Sequence, residues 1–271
     1  MMPDIVALAN RLIAAYDSAA QIAPLTATEP GLDVATAYDV LGEIERRRRA
    51  QGWVPVGRKI GFTNRTIWER YGVYQPMWAS VWAHTVHYAL DTRATLDLRR
   101  FAQPRIEPEV AFKLRAAIPV TDDAEAVLAR VEWMAPAFEI VQSHFPGWKF
   151  EAADCTAAFG LHGALVVGPS VAVTEGNRAR LAALLPAFTQ TLRRGAEVID
   201  VGVGANVLDS PALALVHLAR VLAQQPQFPP LRAGEVITTG TLTDAWPVAS
   251  GETWSSDYGA LPLAGLRLTF A

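Results

Sequence analysis

Three carboxylates stand inside two short apolar segments, and this placement constrains the fold of the chain more than any other feature. The segments are 105–112 (RIEPEVAF) and 136–141 (PAFEIV), and both are typical of β-strands. Because residues i and i+2 of a strand point to the same side, Glu107 and Glu109 are predicted to project together. A buried carboxylate is unfavourable unless it is paired or bound to a cation, so these two residues and Glu139 form a candidate cation site. Oxygen ligands without cysteine or histidine favour Mg²⁺ or Mn²⁺ over Zn²⁺.

A structural interpretation of the same carboxylates stays open at this point. Pro108 is tolerated in an edge strand, so Glu107 and Glu109 could face solvent there. Glu139 could be an ordinary salt-bridge partner, because structural ion pairs also gather carboxylates. The spacing alone therefore indicates a metal site but leaves this second interpretation standing.

Composition and charge are typical of a well-packed globular protein. The chain has 271 residues, of which 51% are hydrophobic and 19% charged, enough for one large domain or two small ones. A net charge of −3 gives no attraction to nucleic acid or to anionic membranes. Cys155 is the single cysteine, which excludes an internal disulfide and fits a reducing compartment. The first residues lack the basic region of a signal peptide, and no apolar run is long enough to span a bilayer. We expect a cytoplasmic protein without nucleic-acid or membrane partners.

The predicted elements divide the chain into a helical N-terminal portion, 1–55, and a strand-rich body, 56–271. Amphipathic spacing predicts helices over 4–20 and 34–50, the second with Asp33 as its N-cap. Two more helices are predicted over 122–133 and 211–224. Gly and Pro bound the predicted strands, which are 56–60, 80–89, 106–114, 137–141, 164–167, 185–192, 198–203, 236–239 and 266–270. The pattern predicts one α+β structural unit with a mixed, closed sheet.

Weaker motifs each have a structural interpretation beside the functional one. The run 202–207 (GVGANV) resembles a dinucleotide-binding loop, but it lacks the third glycine and a surrounding βαβ unit. Cys155 with His144 or His162 could supply a thiol nucleophile, although a lone cysteine is more often a small packed residue. A cluster of aromatic residues could line an apolar pocket or belong to the core; its members are Trp68, Tyr71, Tyr74, Trp78 and Trp82.

Taken in order, the motifs of this chain resemble those of the 2-oxopent-4-enoate hydratases and 4-oxalocrotonate decarboxylases of aromatic meta-cleavage pathways, within the fumarylacetoacetate hydrolase superfamily. The similarity covers nearly the whole chain. Its motifs are 22–25 (IAPL), 57–63 (GRKIGFT), 71–76 (YGVYQP), 105–112, 139–141 (EIV), 148–154, 208–211 (LDSP), 231–236 (LRAGEV) and 239–242 (TGTL). Each motif alone is weak, but their order and spacing are specific to the superfamily, though not to one reaction within it.

The resemblance implies a metal site, a fold and an activity. It implies that Glu107, Glu109 and Glu139 hold Mg²⁺ or Mn²⁺ and that Lys59 is a catalytic residue facing the substrate. The implied fold is a helical N-terminal portion followed by a mixed β-roll or barrel, usually in a homo-oligomer. The implied activity is that of a lyase, a hydratase that adds water to a 2-hydroxy-2,4-dienoate or a 2-oxo-4-enoate. Decarboxylation of a 2-oxo acid, C–C hydrolysis of an acylpyruvate, and non-catalytic binding of a 2-oxo acid are the alternatives.

Two departures from the family pattern affect the expected substrate pocket. Tyr74 and Met77 stand where the hydratases usually carry aspartates, and 158–161 (AFGL) replaces an Asp-Asn-Ala-Ser run. His162 follows directly and is a candidate catalytic substitute, or a satisfied loop histidine. The predicted substrate-binding residues are Arg58, Arg105, Met77, Trp78, Leu161 and Thr241. The apolar replacements favour a substrate with an alkyl or aryl extension over a dicarboxylate.

Overall fold

The structure, a computed structural model, describes residues 3–65 and 68–271, apart from the side chains of Arg70 and Tyr71. Its helices are α1 (Ile5–Ser18), α2 (Leu25–Thr28), α3 (Val34–Ala50), α4 (Trp68–Tyr71), α5 (Ala124–Leu128), α6 (Ala152–Ala157), α7 (Arg178–Leu184) and α8 (Pro211–Ala223). Its strands are β1 (Pro55–Gly61), β2 (Met77–Trp82), β3 (Val86–Tyr88), β4 (Arg93–Leu96), β5 (Arg105–Leu114), β6 (Val131–Val141), β7 (His162–Val167), β8 (Val171–Ala172), β9 (Thr189–Arg194), β10 (Glu197–Val203), β11 (Val236–Thr238), β12 (Trp246–Pro247), β13 (Thr253–Asp257) and β14 (Arg267–Phe270).

Helices α1 and α3 form the N-terminal portion, and both begin at an aspartate N-cap. The Asp4 carboxylate accepts a hydrogen bond from the Ala7 N–H at 3.0 Å, and the Asp33 carboxylate accepts one from the Thr36 N–H at 2.8 Å. These caps satisfy N–H groups that have no partner inside the helix. The helices predicted over 4–20 and 34–50 are confirmed, as is the Asp33 cap. The division of the chain between residues 55 and 56 stays a prediction, although β1 does begin at Pro55.

The strands form two mixed sheets. The first has nine strands in the order β2-β1-β11-β5-β6-β7-β3, with β12 paired to β5 and β8 paired to β6. The second has five strands in the order β10-β9-β13-β14-β4. Parallel pairs (β1 with β11, β3 with β7, β14 with β4) occur among antiparallel ones, and the larger sheet curls into a half-barrel. The α+β class predicted from the sequence is confirmed.

The boundaries of some predicted helices and strands are wrong. The helix expected over 122–133 is short, because only α5 forms after the Asp123 cap and the chain then enters β6 at Val131. Pairing of β6 with β5 overrides the helical pattern there. The strand expected over 80–89 is interrupted by the 3₁₀ turn Ala83–Thr85, and the strand expected over 185–192 begins only at Thr189. The unpredicted elements are helices α2, α4, α6 and α7 and strands β4, β8, β12 and β13.

Helix α8 is an apolar core helix. Among the described residues, the segment Gly204–Ala223 is long and apolar enough to cross a membrane, but 61% of its most apolar part is buried inside the fold. The regular helix itself has 13 residues and starts at Pro211, with the Ser210 hydroxyl accepting a hydrogen bond from the Ala212 N–H. Its apolar side chains pack in the largest core cluster. The length and apolar composition of this segment are therefore explained by its packing in the protein core.

The glycines of the 202–207 run allow close approach of backbone. A Cβ atom on Gly202 would lie 2.0 Å from the Leu242 carbonyl oxygen, and one on Gly204 would lie 1.8 Å from the Leu185 carbonyl oxygen. Both positions are therefore required to be glycine by contacts within the protein. The dinucleotide-loop interpretation gains no support from this geometry.

Candidate active site

The antiparallel register of β5 and β6 brings the three glutamates together. Glu107 lies directly opposite Glu139 across this strand pair, and Glu109 is two residues further along the same side of β5. Possible ligand oxygens of the three carboxylates lie within 4.8 Å of one another. Glu109 and Glu139 are fully buried and Glu107 is half-buried. The carboxylates therefore form a compact acidic centre, and the solvated edge-strand interpretation does not apply to them.

Each of the two fully buried glutamates has one oxygen bonded by the protein and one without a hydrogen bond. Glu109 Oε2 accepts a hydrogen bond from the Gly240 N–H at 2.7 Å, and Glu139 Oε1 lies 2.8 Å from His162 Nδ1. Glu109 Oε1 and Glu139 Oε2 have no hydrogen-bond partner among the described residues. Buried carboxylate oxygens without partners are strongly unfavourable unless a cation is present. These two oxygens, of which Glu139 Oε2 lies beside the Lys59 ammonium group, fit a hard divalent cation together with the Glu107 carboxylate.

Gly240 supplies its N–H to this centre because of its backbone conformation. Its φ is +98°, and a Cβ atom at this position would lie 2.0 Å from Thr63 Oγ1. The turn is anchored by the Thr239 hydroxyl, which donates to the Val110 carbonyl oxygen at 2.9 Å. Only glycine combines this conformation with such close contact to Thr63.

Lys59 brings a cation into the acidic centre. It lies on β1, is buried, and its Nζ is 3.1 Å from Glu139 Oε2, an ion pair without hydrogen-bond alignment. Gly160 leaves room for its aliphatic chain, since a Cβ atom there would lie 3.2 Å from Lys59 Cδ. Burial alone would lower the pKa of Lys59, but Glu139, Glu107 and Glu109 together raise it. Lys59 is therefore protonated at neutral pH.

The electrostatics of the three carboxylates differ. Burial, together with the negative charge of Glu139, raises the pKa of Glu107 to about 7. Burial and the other two glutamates raise the pKa of Glu109 well above its usual value. Although burial acts in the same direction on Glu139, the charge of Lys59 and the hydrogen bond from His162 hold its pKa at about 2. The three carboxylates therefore cannot all be ionised beside Lys59 unless a further positive charge is present.

A cavity of about 250 Å³ opens onto this centre and is lined by both polar and apolar side chains. Its polar lining includes Lys59, Glu107, Thr63, Asn64, Thr241, Thr243 and Asp244. Its apolar lining includes Phe62, Met77, Val141, Trp148, Phe150 and Leu161. Arg105 also lines the cavity, with its guanidinium 4.1 Å from the centre of the Trp148 ring. Such a cavity can take a small anion with a hydrocarbon portion.

Two predicted substrate-binding residues lie outside this cavity. Arg58 follows the alternation of β1 and points away from Lys59, where it donates to the Pro229 carbonyl oxygen at 2.7 Å and lies 3.5 Å from Glu235 Oε2. The Trp78 indole N–H donates to Gln225 Oε1 at 2.7 Å, and its ring packs in the core beneath Arg58. The structure therefore does not place Arg58 and Trp78 at this cavity, whereas Arg105, Met77, Leu161 and Thr241 line it; substrate binding by these residues stays a prediction.

The other candidate catalytic residues and pocket residues either lie away from the cavity or have an unreactive side chain. His162 is buried behind Glu139 and is not among the residues lining the cavity, so it does not reach a substrate there. Cys155 lines the cavity, but burial raises the pKa of its thiol to about 12, which keeps it protonated. His144 bonds the Ala20 carbonyl oxygen, and the side chain of Tyr74 is 81% exposed. The Tyr71 side chain lies outside the described residues.

Some site residues were missed in the sequence. Gly240 is a hydrogen-bond donor to Glu109, and Phe62, Trp148 and Phe150 form much of the apolar wall. Gly240, Phe62 and Trp148 all fall in family-like motifs, so the motifs contained a signal without indicating a role for each residue. Helix α6, which begins two residues after Phe150, was not predicted. The sequence therefore did not indicate that Trp148 and Phe150 line the cavity.

Comparison with known proteins agrees with this architecture. No protein-family model matches the chain. It is 33% identical to a 2-hydroxyhexa-2,4-dienoate hydratase of Comamonas testosteroni, over 90% of this chain and 89% of that protein. It is 29% identical to a 4-oxalocrotonate decarboxylase of Pseudomonas sp. (strain CF600), over 95% and 94% of the two chains. Its structure matches a 4-oxalocrotonate decarboxylase from Pseudomonas putida G7, complexed with magnesium and adipate, with a TM-score of 0.88, 25% identity, and coverage of 98% and 97%.

The fold and the site define an α+β protein with a buried acidic centre in a cavity of mixed polarity. With the relatives above, this assigns the chain to a family. The chain belongs to the 2-oxopent-4-enoate hydratase and 4-oxalocrotonate decarboxylase family.

Proposed function

We propose that this protein is a metal-dependent hydratase, a lyase that adds water to a 2-hydroxy-2,4-dienoate or the corresponding 2-oxo-4-enoate. The observation that carries the proposal is the cluster of Glu107, Glu109 and Glu139 beside Lys59, at a cavity lined by both polar and apolar side chains. Relatives named as hydratases of such acids, 31–33% identical over nine-tenths of the chain, support the reaction class.

The three glutamates are proposed to hold Mg²⁺ or Mn²⁺. Oxygen donors alone suit these ions, and Glu109 Oε1 and Glu139 Oε2, which accept no hydrogen bond, would serve as single-atom ligands. A bound ion of this kind supplies Lewis acidity at the substrate's C2 oxygen and a template for its carboxylate. The binding of magnesium by the similarly folded decarboxylase from Pseudomonas putida G7 supports this choice of ion.

Lys59 is proposed to be the catalytic cation of the chain. Because it stays protonated, it cannot act as a general base at neutral pH. Its ammonium group instead offsets the carboxylates and stabilises negative charge that develops on the substrate as an enolate forms. Its position against Glu139 places this charge beside the proposed ligands.

The walls of the cavity are proposed to orient the substrate. Thr241 offers a hydroxyl to the cavity, while Met77 and Leu161 cover the hydrocarbon portion and exclude water from it. Since the apolar wall lies beside the charged centre, a single small acid can contact both. The orientation of the acid is thus fixed by a charged end and an apolar end.

Decarboxylation of a 2-oxo diacid is the second candidate, and one observation favours it. Arg105 lines the cavity and could hold a second carboxylate. The 29% sequence identity with the 4-oxalocrotonate decarboxylase of Pseudomonas sp. (strain CF600) also supports this reaction. Decarboxylation uses the same stabilised enolate as hydration, so the acidic centre serves either reaction equally.

The proposed binding partner is the small 2-oxo or 2-hydroxydienoic acid, and no nucleic-acid or membrane partner is proposed. The protein is proposed to work in the cytoplasm as a homo-oligomer. The free, buried Cys155 is compatible with a reducing compartment. Size-exclusion chromatography with light scattering measures the assembly. A strictly monomeric active enzyme would contradict the oligomer.

Loss of the ultraviolet absorbance of a 2-hydroxy-2,4-dienoate tests the proposed function. We expect rapid loss with Mg²⁺, slow loss after chelation, and recovery when Mg²⁺ or Mn²⁺ is returned. Equal rates before and after complete removal of divalent ions would overturn the metal-dependent reaction.

A further inference from the structure

One buried histidine contacts the acidic centre from outside the cavity. His162 begins β7, which pairs with β6, and its side chain is 1% exposed. Its Nδ1 lies 2.8 Å from Glu139 Oε1. An ionised carboxylate can only accept, so the Nδ1–H group donates this hydrogen bond. The histidine therefore holds one of the two oxygens of Glu139.

The second ring nitrogen of His162 is held as well. Nε2 lies 2.8 Å from Thr85 Oγ1, and the same hydroxyl is 2.9 Å from the Trp82 carbonyl oxygen. Thr85 is buried in the turn Ala83–Thr85 that precedes β3, and β3 pairs with β7. Contacts at both nitrogens fix the plane of the imidazole ring, so it has little freedom to release Glu139.

We propose that His162 is a positioning residue that restricts Glu139 to a single ligating oxygen. With Oε1 held by His162, only Oε2 is left for a cation, and Lys59 Nζ lies 3.1 Å from that atom. Glu109 is arranged in the same way, with Oε2 held by the Gly240 N–H and Oε1 left free. The inference rests on the cation site of the proposed function and is independent of which reaction the enzyme catalyses.

Restriction to one oxygen has a consequence for the choice of cation. Mg²⁺ requires near-octahedral geometry with ligands at about 2.0–2.1 Å, whereas Ca²⁺ accepts bidentate carboxylates and irregular shells of six to eight oxygens. A carboxylate that turns freely can bind through both oxygens and take a position otherwise open to substrate. His162 should therefore favour Mg²⁺ over Ca²⁺ and keep a position open.

Titration calorimetry of Mg²⁺ and Ca²⁺ against the full-length protein tests the proposal without using activity. His162→Leu removes both ring contacts and should weaken Mg²⁺ binding by about 10- to 100-fold, the usual effect of losing such a supporting hydrogen bond. Ca²⁺ binding should weaken much less, so the ratio of the two affinities falls. His162→Asn places an amide N–H near the position of Nδ1, and it should recover most of the Mg²⁺ affinity.

Two further variants keep the test decisive. Thr85→Val leaves the Nδ1–H group present but removes the contact at Nε2, so it should lower the ratio of Mg²⁺ to Ca²⁺ affinity even if His162→Leu fails to fold. His144→Leu is the matched control, because His144 is a buried histidine that bonds the Ala20 carbonyl oxygen and does not touch the glutamates. Its affinities for both ions should equal those of the parent.

The outcomes separate this inference from the proposed function. An unchanged ratio in folded His162→Leu, or in Thr85→Val where the leucine variant does not fold, overturns the positioning role. A parent protein that binds Mg²⁺ tightly yet converts no dienoate overturns the hydratase proposal and leaves the positioning role to be decided by the ratio alone.

Discussion

At the scale of single residues, the site is built from charges that proteins usually leave in water. Glu109 and Glu139 are fully buried, and one ammonium group, that of Lys59, stands against three carboxylates. Burial raises the pKa of Glu107 to about 7 and that of Glu109 further above its usual value. The chain therefore keeps an unfavourable charge arrangement that a divalent cation would relieve.

Replacement of Lys59 measures the contribution of its charge. Lys59→Met keeps most of the side-chain volume, so the cavity should hold its shape and the cation should still bind. Turnover should fall by about 100-fold or more, the size of effect seen when one electrostatic stabiliser is removed. Steady-state kinetics with measured metal content is the assay, and Lys113→Met, a partly exposed lysine on β5, is the control. Turnover within a factor of two of the parent would place Lys59 outside the site.

The affinity for Mg²⁺ should depend on pH in one direction. In the cation-free protein Glu107 keeps a proton below its pKa of about 7, and Mg²⁺ must displace that proton to use the carboxylate. Affinity should therefore rise as pH increases through about 7, and the raised pKa of Glu109, whose proton must also be displaced, acts in the same direction. Calorimetric titrations on both sides of this pH measure the effect. An affinity that is constant or falls with rising pH would show that Glu107 is not a ligand.

At the scale of elements, the strand pair β5–β6 places the glutamates and the turn at Gly240 completes the set. The strand pattern of 106–114 and the i, i+2 spacing of Glu107 and Glu109 were readable in the sequence, because a strand has a fixed alternation. The position of Glu139 opposite Glu107 depends on register, which the sequence alone does not give.

Other parts of the site required the folded structure for a physical reason. The family-like motif indicated that Lys59 faces the substrate but did not exclude its neighbour Arg58 from the cavity, since the residues on both faces of β1 are buried. The contact of His162 with Glu139 arises from the pairing of β6 and β7 and a register shift between Ile140 and Val141. Such contacts between distant residues leave no local pattern.

Substitution of Gly240 tests the role of the turn. Gly240→Ala adds a Cβ atom 2.0 Å from Thr63 Oγ1 at a φ of +98°, so the backbone must move and the N–H should leave Glu109. We expect a loss of stability of about 2–4 kcal/mol and weaker Mg²⁺ binding. Gly251→Ala is the matched control, because its φ is +85° but nothing lies within 4 Å of the added atom. It should lose only about 1–2 kcal/mol and keep the parent's affinity.

At the scale of the whole molecule, the helical N-terminal portion packs behind two apolar residues of the cavity wall, Met77 and Leu161. Met77 and Leu161 line the cavity, and they pack in the same core cluster as Phe145 and the α1 side chains. Each apolar replacement favours burial of hydrocarbon and disfavours burial of a second charge.

Substrate preference follows from this wall. A 2-hydroxy-2,4-dienoate with an alkyl or aryl extension should be preferred over 4-oxalocrotonate by about tens-fold in kcat/KM, since hydrophobic contacts of this kind contribute about 1–3 kcal/mol. Leu161→Ser should reduce that preference. Rates measured for both acids under the same Mg²⁺ concentration give the ratio. A clear preference for the dicarboxylate would make Arg105 the dominant recognition group and favour decarboxylation.

The central claim is that Glu107, Glu109 and Glu139 form the metal centre of a hydratase, and product mass spectrometry with glutamate-to-glutamine variants tests it most directly. With Mg²⁺ and a 2-hydroxy-2,4-dienoate, the parent and the control Glu132→Gln, altered at a half-exposed glutamate of β6, should form a product one water heavier than the substrate. Each of the three site variants should fold and form almost none. Loss of carbon dioxide from a diacid as the main reaction, or full turnover in all three site variants, would contradict the account.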